Sequence, residues 1–277
     1  MSHPAIICND LGKKYIIPGQ RDDNLENSLI LEQMRNRYKV SNLVKTVFRK
    51  TYNQEIWAIR NISFQLDRGN VIGLIGKNGA GKSTLLKVLS KITEPAEGEA
   101  FIYGRIGSML EVGTGFHYEL TGRENIYLNG TILGMHRKEI DSKLDEIIAF
   151  SGIEKYIDTP IKKYSSGMSV RLAFSVSAHL DTDILLVDEV LSVGDADFRR
   201  QSLAKMKEIV KDGRTIIFVS HNMNSIKELC NEAYWMENGN LKSIGAVNEV
   251  IPQYLKEGAA TEGKVMWEGG FLGGNAE

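Results

Sequence analysis

An apolar run, Val71-Ile72-Gly73-Leu74-Ile75, leads directly into Gly76-Lys77-Asn78-Gly79-Ala80-Gly81-Lys82-Ser83, after which Thr84-Leu85-Leu86-Lys87-Val88-Leu89 reads as a helix. A strand, a glycine-rich turn and a helix in that order form a cradle for phosphate. The glycines let the backbone wrap an anion with its N–H groups inward, Lys82 brings a point charge to the outer phosphates, and Ser83 offers a hydroxyl to Mg2+. The predicted nucleotide-contacting set is Gly76, Asn78, Gly79, Ala80, Gly81, Lys82, Ser83 and Thr84.

The strand behind such a cradle needs a sheet around it. Helical patterns alternate with short apolar runs from about 82 to 222, notably Ile184 to Val187 and Thr215 to Val219, which predicts a mostly parallel sheet covered by helices. Residues 5 to 17 and 56 to 75 read as strands, and Asn238-Gly239 reads as a two-residue hairpin turn followed by a helix over Val247 to Lys256. Residues 258 to 277 carry six glycines and little periodicity, the pattern of a tail or linker. The 277 residues, 42% of them hydrophobic, are enough for a large core.

Two apolar runs end in groups that suit phosphate chemistry. Asp183 to Val187 closes on Asp188 and Glu189, one carboxylate to hold Mg2+ and the next to polarise a water for attack on the γ-phosphate. Thr215 to Ser220 closes on His221, placed to hydrogen-bond that phosphate; His3, His117, His136 and His179 have no such setting and receive no role. Catalysis is therefore expected from Glu189, His221 and Lys82, and metal binding from Ser83 and Asp188.

With Tyr164-Ser165-Ser166-Gly167-Met168 lying between these motifs and Ser192-Val193-Gly194-Asp195 after Glu189, the chain resembles the ATPases of ABC transporters over about residues 5 to 257. The resemblance implies an α/β P-loop domain with a mostly parallel core sheet, an antiparallel β subdomain and a helical signature subdomain over about 120 to 180. It also implies Mg2+ and an ATP sandwiched between two copies of the chain, with Ser165, Ser166, Gly167 and Asp195 reaching the partner's nucleotide. Tyr15 is the first choice for stacking on adenine, with Tyr52 and Trp57 as alternatives. Ser166 and Met168 stand where the family usually has glycine and glutamine, and Glu111 stands at the position of the family's Q-loop glutamine as a third metal ligand.

Leu110 to His117, continued by Glu119 to Gly130, resembles a narrower branch, the ATP-binding subunits of exporters of O-antigen, capsule and teichoic acid. That branch implies a separate integral membrane permease, a lipid-linked polysaccharide as cargo, and a peripheral position on the cytoplasmic face of the inner membrane. Many O-antigen members continue into a carbohydrate-binding β-sandwich, for which the stretch after Lys256 is too short. The other classes to weigh are an ATPase of another transporter and a soluble ATPase of translation or DNA repair.

Charge and cysteine content agree with this reading. Lys and Arg total 34 against 35 Asp and Glu, so there is no basic field for a nucleic-acid partner. Cys8 and Cys230 are too few for a disulfide framework and read as buried small residues. Residues 19 to 55 form an insertion: Val40, Leu43, Val44, Val47 and Phe48 share a helical face, and six basic side chains oppose one acidic over 32 to 50. This segment is expected either at the anionic membrane surface or permease, or packed on its own domain.

Overall fold

A computed structural model describes residues 3–18, 53–110, 113, 115–188 and 194–262. Strands β1 (Pro4–Pro18), β2 (Asn53–Asp67) and β4 (Glu97–Ile102) form an antiparallel sheet in the order β2-β1-β4. Strands β3 (Val71–Ile75), β5 (Ile106–Met109), β6 (Ile184–Asp188), β7 (Thr215–Val219), β8 (Glu232–Glu237) and β9 (Asn240–Ala246) form a second sheet. Its order is β5-β6-β7-β3-β8-β9, with every neighbouring pair parallel except β8 with β9.

The strands β3, β6, β7 and β8 of the larger sheet are buried on both faces, and the period of two along each divides its side chains between two cores. Ile72, Leu74, Ile184, Leu186, Ile217, Val219, Tyr234 and Met236 face a core shared with the antiparallel sheet and α1 (Lys82–Leu89). Val71, Ile75, Leu185, Val187, Ile216, Phe218, Ala233 and Trp235 face the opposite core. That core is shared with α5 (Ala196–Lys211), α6 (Met223–Leu229) and α7 (Val247–Glu262). These apolar runs are uninterrupted because neither face meets water.

A third core, built on Ile126, Ile140, Ile147, Leu172 and Val176, belongs to the helices α2 (Gly122–Ile132), α3 (Arg137–Ser151) and α4 (Ser166–Ala178). Thr121 starts α2 through a reciprocal capping box with Glu124, a device that stabilises a helix by about 1 kcal/mol. Fully buried Asn125 then accepts from the His117 amide and donates to the carbonyls of His117, Leu120 and Thr121. The loop entering the helical layer is thereby held to its first turn.

Three boundaries differ from the sequence expectations. The run 56 to 75 is two strands in different sheets, separated by a turn in which Gly69 takes φ 77°. The β1–β2 ladder extends to Pro18 opposite Asn53, so residues 53 to 55 of the expected insertion are strand. Finally, α7 accommodates Pro252 and continues to Glu262, which takes residues 258 to 262 out of the expected tail. The amphipathic face from Val40 to Phe48 lies outside the described residues.

Candidate nucleotide-binding site

Register brings the chemistry to one edge of the larger sheet. Leu74 on β3 pairs with Val219 on β7, and Val219 pairs with Asp188 on β6. The ends of these three adjacent strands therefore lie on one row, from which the chain continues into Gly76, His221 and Asp188 itself. This is the carboxyl edge of a parallel sheet, where α/β folds bind ligands.

The cradle's glycines are there for different physical reasons. Gly76 takes φ 152°, and a Cβ on it would stand 2.3 Å from the Met236 carbonyl oxygen. Gly81 takes φ 101°, and its Cβ would stand 2.6 Å from the Ala58 carbonyl oxygen. Gly79, at φ 79°, faces open space. The β8–β9 turn supports the loop from behind, with the Gly239 amide donating to the Ala80 carbonyl and the Arg60 amide to the Gly239 carbonyl. Asn238 and Gly239 both take positive φ, as the expected hairpin turn requires.

Gly81 is the N-cap of α1 and has no side chain with which to cap it. Helix geometry leaves the amides from Gly81 to Thr84 without intrahelical acceptors, so they are available to an anion. Lys82 is buried, and its ammonium group donates to the carbonyls of Gly76 at 2.7 Å and Lys77 at 3.0 Å. Burial holds its pKa below the ordinary lysine value, while the Asp188 carboxylate opposes the shift. Ser83 Oγ donates to Asp188 Oδ2 at 3.0 Å. Two oxygen donors of the kind a hard cation prefers thus meet at the mouth of the cradle, and they fit Mg2+.

His221 follows β7 on an exposed turn, beyond the buried Ser220. Glu189 and Glu111 lie outside the described residues. Tyr15 is on β1 opposite Ile56; the residue is 40% exposed, and the Lys13 ammonium lies 5.4 Å from its ring centroid. Trp57 is more engaged: Arg60 lies 4.5 Å and Lys14 5.7 Å from its ring centroid. Tyr52 also lies outside the described residues.

The remaining predicted residues sit in the helical layer and the helix beyond it. Ser165 caps α4 by accepting from the Met168 amide at 3.2 Å, and exposed Ser166 and half-buried Gly167 begin its first turn. A Cβ on Gly167 would meet only Ser165 Oγ, at 3.9 Å. Asp195 caps α5, its Oδ1 accepting from the Phe198 amide at 2.8 Å. Sequence reasoning gave no role to Asn125, to the hairpin behind the cradle, or to Arg171. The hairpin and Arg171 act through contacts distant in the chain, whereas Asn125 bonds within eight residues, beside the visible helix start Thr121-x-x-Glu124.

The cradle, its carboxylate and the separate helical layer define a P-loop ATPase. The chain belongs to the ABC transporter family, whose profile matches residues 59–192. It is 46% identical over 210 residues to the O-antigen export system ATP-binding protein RfbB of Klebsiella pneumoniae, covering 76% of this chain and 85% of that protein. A protein of the same description from Myxococcus xanthus is 46% identical over 199 residues, covering 72% of this chain and 46% of its own length. The teichoic acids export ATP-binding protein TagH of Enterococcus faecalis is 42% identical over 213 residues, covering 76% of this chain and 47% of its own length. The chain thus spans about half the length of the latter two relatives.

Solved structures agree on the fold. An ATP-binding subunit of an ABC transporter superposes with a TM-score of 0.67 at 20% identity, covering 94% of this chain and all of that one. A dimeric ATP-binding cassette in a post-hydrolysis state with ADP and Pi gives 0.64 at 17% identity, covering 87% and 98%. Among the described residues no helix is long and apolar enough to cross a membrane.

Proposed function

We propose that this chain is the ATP-hydrolysing subunit of an exporter that drives a lipid-linked cell-surface polysaccharide, in the first place O-antigen, across the inner membrane. It works as a homodimer on the cytoplasmic face of that membrane, beside a separate permease. The observation that carries the ATPase part is the Ser83–Asp188 hydrogen bond beside buried Lys82, which unites three groups suited to a magnesium nucleotide. The export branch is supported by the names of the relatives, two for O-antigen and one for teichoic acids.

Each residue has a task in this reading. Lys82 exchanges its two carbonyl partners for oxygens of the outer phosphates, and the amides from Gly81 to Thr84 hold the rest of the chain of phosphates. Ser83 and Asp188 hold Mg2+, which supplies charge neutralisation when bound. Glu189 polarises the attacking water, and His221 hydrogen-bonds the γ-phosphate. Tyr15 stacks on adenine.

The second half of the site comes from a second copy. Gly167 supports this because its own fold has room for a methyl group there. Glycine in a helix costs roughly 0.5–1 kcal/mol relative to alanine, and the close approach of another molecule accounts for keeping it. Ser165, Ser166, Gly167 and Asp195 then face the partner's ATP. Glu189→Gln should retain ATP binding while slowing hydrolysis by roughly 10²- to 10⁴-fold; near-normal turnover overturns the assignment. Co-purification of the full chain with a multi-spanning membrane protein tests the transport role.

A further inference from the structure

Arg171 lies in α4, within two turns of Ser165, and its guanidinium bridges three helices. Nε donates to the carbonyl of Ser151, the last residue of α3, at 2.9 Å. One terminal nitrogen lies 3.6 Å from Asp195 Oδ2, while the other carboxylate oxygen of Asp195 caps α5. The guanidinium carbon, Cζ, sits 5.0 Å from the centre of the Phe198 ring in α5.

The surroundings are shaped for this group. Gly152 takes φ 64°, and a Cβ there would stand 2.3 Å from a terminal nitrogen of Arg171, so the turn after α3 leaves room for the guanidinium. Phe150, Phe174 and Phe198 pack on one another at 5.6 to 6.0 Å between ring centres. The positive charge also lies at the carbonyl end of α3, where a helix favours a cation.

We infer that Arg171 is a positioning residue that locks the signature helix to the turn entering α5, so that the two partner-facing elements of one molecule move as a single piece. The inference rests on the ATP-sandwich reading above, in which Ser165 and Gly167 at one end of α4 and Asp195 at the start of α5 all approach the partner. Their relative angle must be fixed before docking if both are to meet one nucleotide. Asp195 is 63% exposed, and an exposed ion pair adds little to stability. The contact therefore matters for orientation, and the fork of arginine is what lets one side chain hold the Ser151 carbonyl and the Asp195 carboxylate together.

The test uses the full chain carrying Glu189→Gln, with Mg-ATP as the ligand and sedimentation to measure pairing. The parent is measured first: if it does not pair with ATP, the sandwich reading itself fails. Arg171→Lys keeps the charge and most of the volume but loses the fork. It should melt close to the parent and bind ATP as a monomer with unchanged affinity, yet pair about 10-fold more weakly, within the range of coupling between residues in contact. Asp195→Asn, which can still cap α5, should weaken pairing similarly. The double variant should be no worse than the weaker single. In the chain with Glu189 intact, Arg171→Lys should lower kcat while leaving KM for ATP unchanged. Pairing equal to the parent in Arg171→Lys, or losses that add in the double variant, overturns the inference. So does a pairing defect that merely follows a fall in melting temperature.

Discussion

Ser83 Oγ donates a hydrogen bond to Asp188 Oδ2 at 3.0 Å across 105 residues of chain. The contact follows from the alignment of Leu74, Val219 and Asp188 on one row of the sheet, which brings the cradle beside the end of β6. Asp188→Asn leaves an oxygen to accept this bond and removes only the charge. The variant should bind ATP without Mg2+ as the parent does, lose the gain in affinity that Mg2+ brings, and hydrolyse ATP roughly 10²- to 10³-fold more slowly. Equal Mg2+ dependence in parent and variant, read by fluorescent-nucleotide titration, counts against the metal assignment.

The two glycines that close on neighbouring backbone should behave unlike the others. Gly76→Ala and Gly81→Ala each combine positive φ with a Cβ closer than 3 Å to a carbonyl oxygen. Each should cost well over about 1 kcal/mol in denaturant unfolding. Gly79→Ala, with open space around it, should cost less. Gly167→Ala should leave stability unchanged or raise it by up to about 1 kcal/mol, while ATP-driven pairing is lost. Normal pairing in that variant removes the case for a partner at this position.

The cradle, the Asp188 strand end and the layered α/β architecture were legible in the sequence because each is a local pattern with a local cause. Gly76 to Ser83 is a contiguous motif, and runs such as Ile184 to Val187 are apolar at every position because both faces of the strand are covered. What stayed hidden depends on contacts distant in the chain. The split of 56 to 75 into two sheets turns on Gly69, one residue within an otherwise continuous strand pattern. Arg171 reads as an ordinary helical cation until folding brings Ser151, Gly152 and Asp195 around it. The signature residues are legible by resemblance, whereas the lack of any internal need for glycine at 167 is visible only in three dimensions.

The exposure of Tyr15 and the two cations packed on Trp57 lead to a choice between them. Base–aromatic stacking contributes about 1–3 kcal/mol by alanine substitution, so Tyr15→Ala should raise the Kd for ATP by roughly 5- to 150-fold. Tyr15→Phe should retain the parent's affinity, because the stack uses the ring and not the hydroxyl. Trp57→Phe should alter affinity little. A Tyr15→Ala variant that binds ATP normally shifts the role to another aromatic.

His179 gives the fold a dependence on pH that is separate from the nucleotide site. The ring is buried, its Nδ1 lies 2.7 Å from the Ser175 carbonyl oxygen, and Phe150 packs against it with 5.6 Å between ring centres. Desolvation holds its pKa below the ordinary 6.5; the Ser175 carbonyl and Glu146 oppose the shift, and Lys205 and Lys143 reinforce it. The unfolded chain therefore takes up a proton at this residue at a pH where the folded chain does not. Its contribution to stability is complete above pH 6.5 and is lost as pH falls from there toward the folded value. Most carboxylates titrate below about pH 5, which leaves the interval from about 5.5 to 7 to read this group. Urea midpoints of the full chain should fall across that interval, and His179→Gln should flatten the slope. An unchanged slope in the variant assigns the pH dependence to other groups.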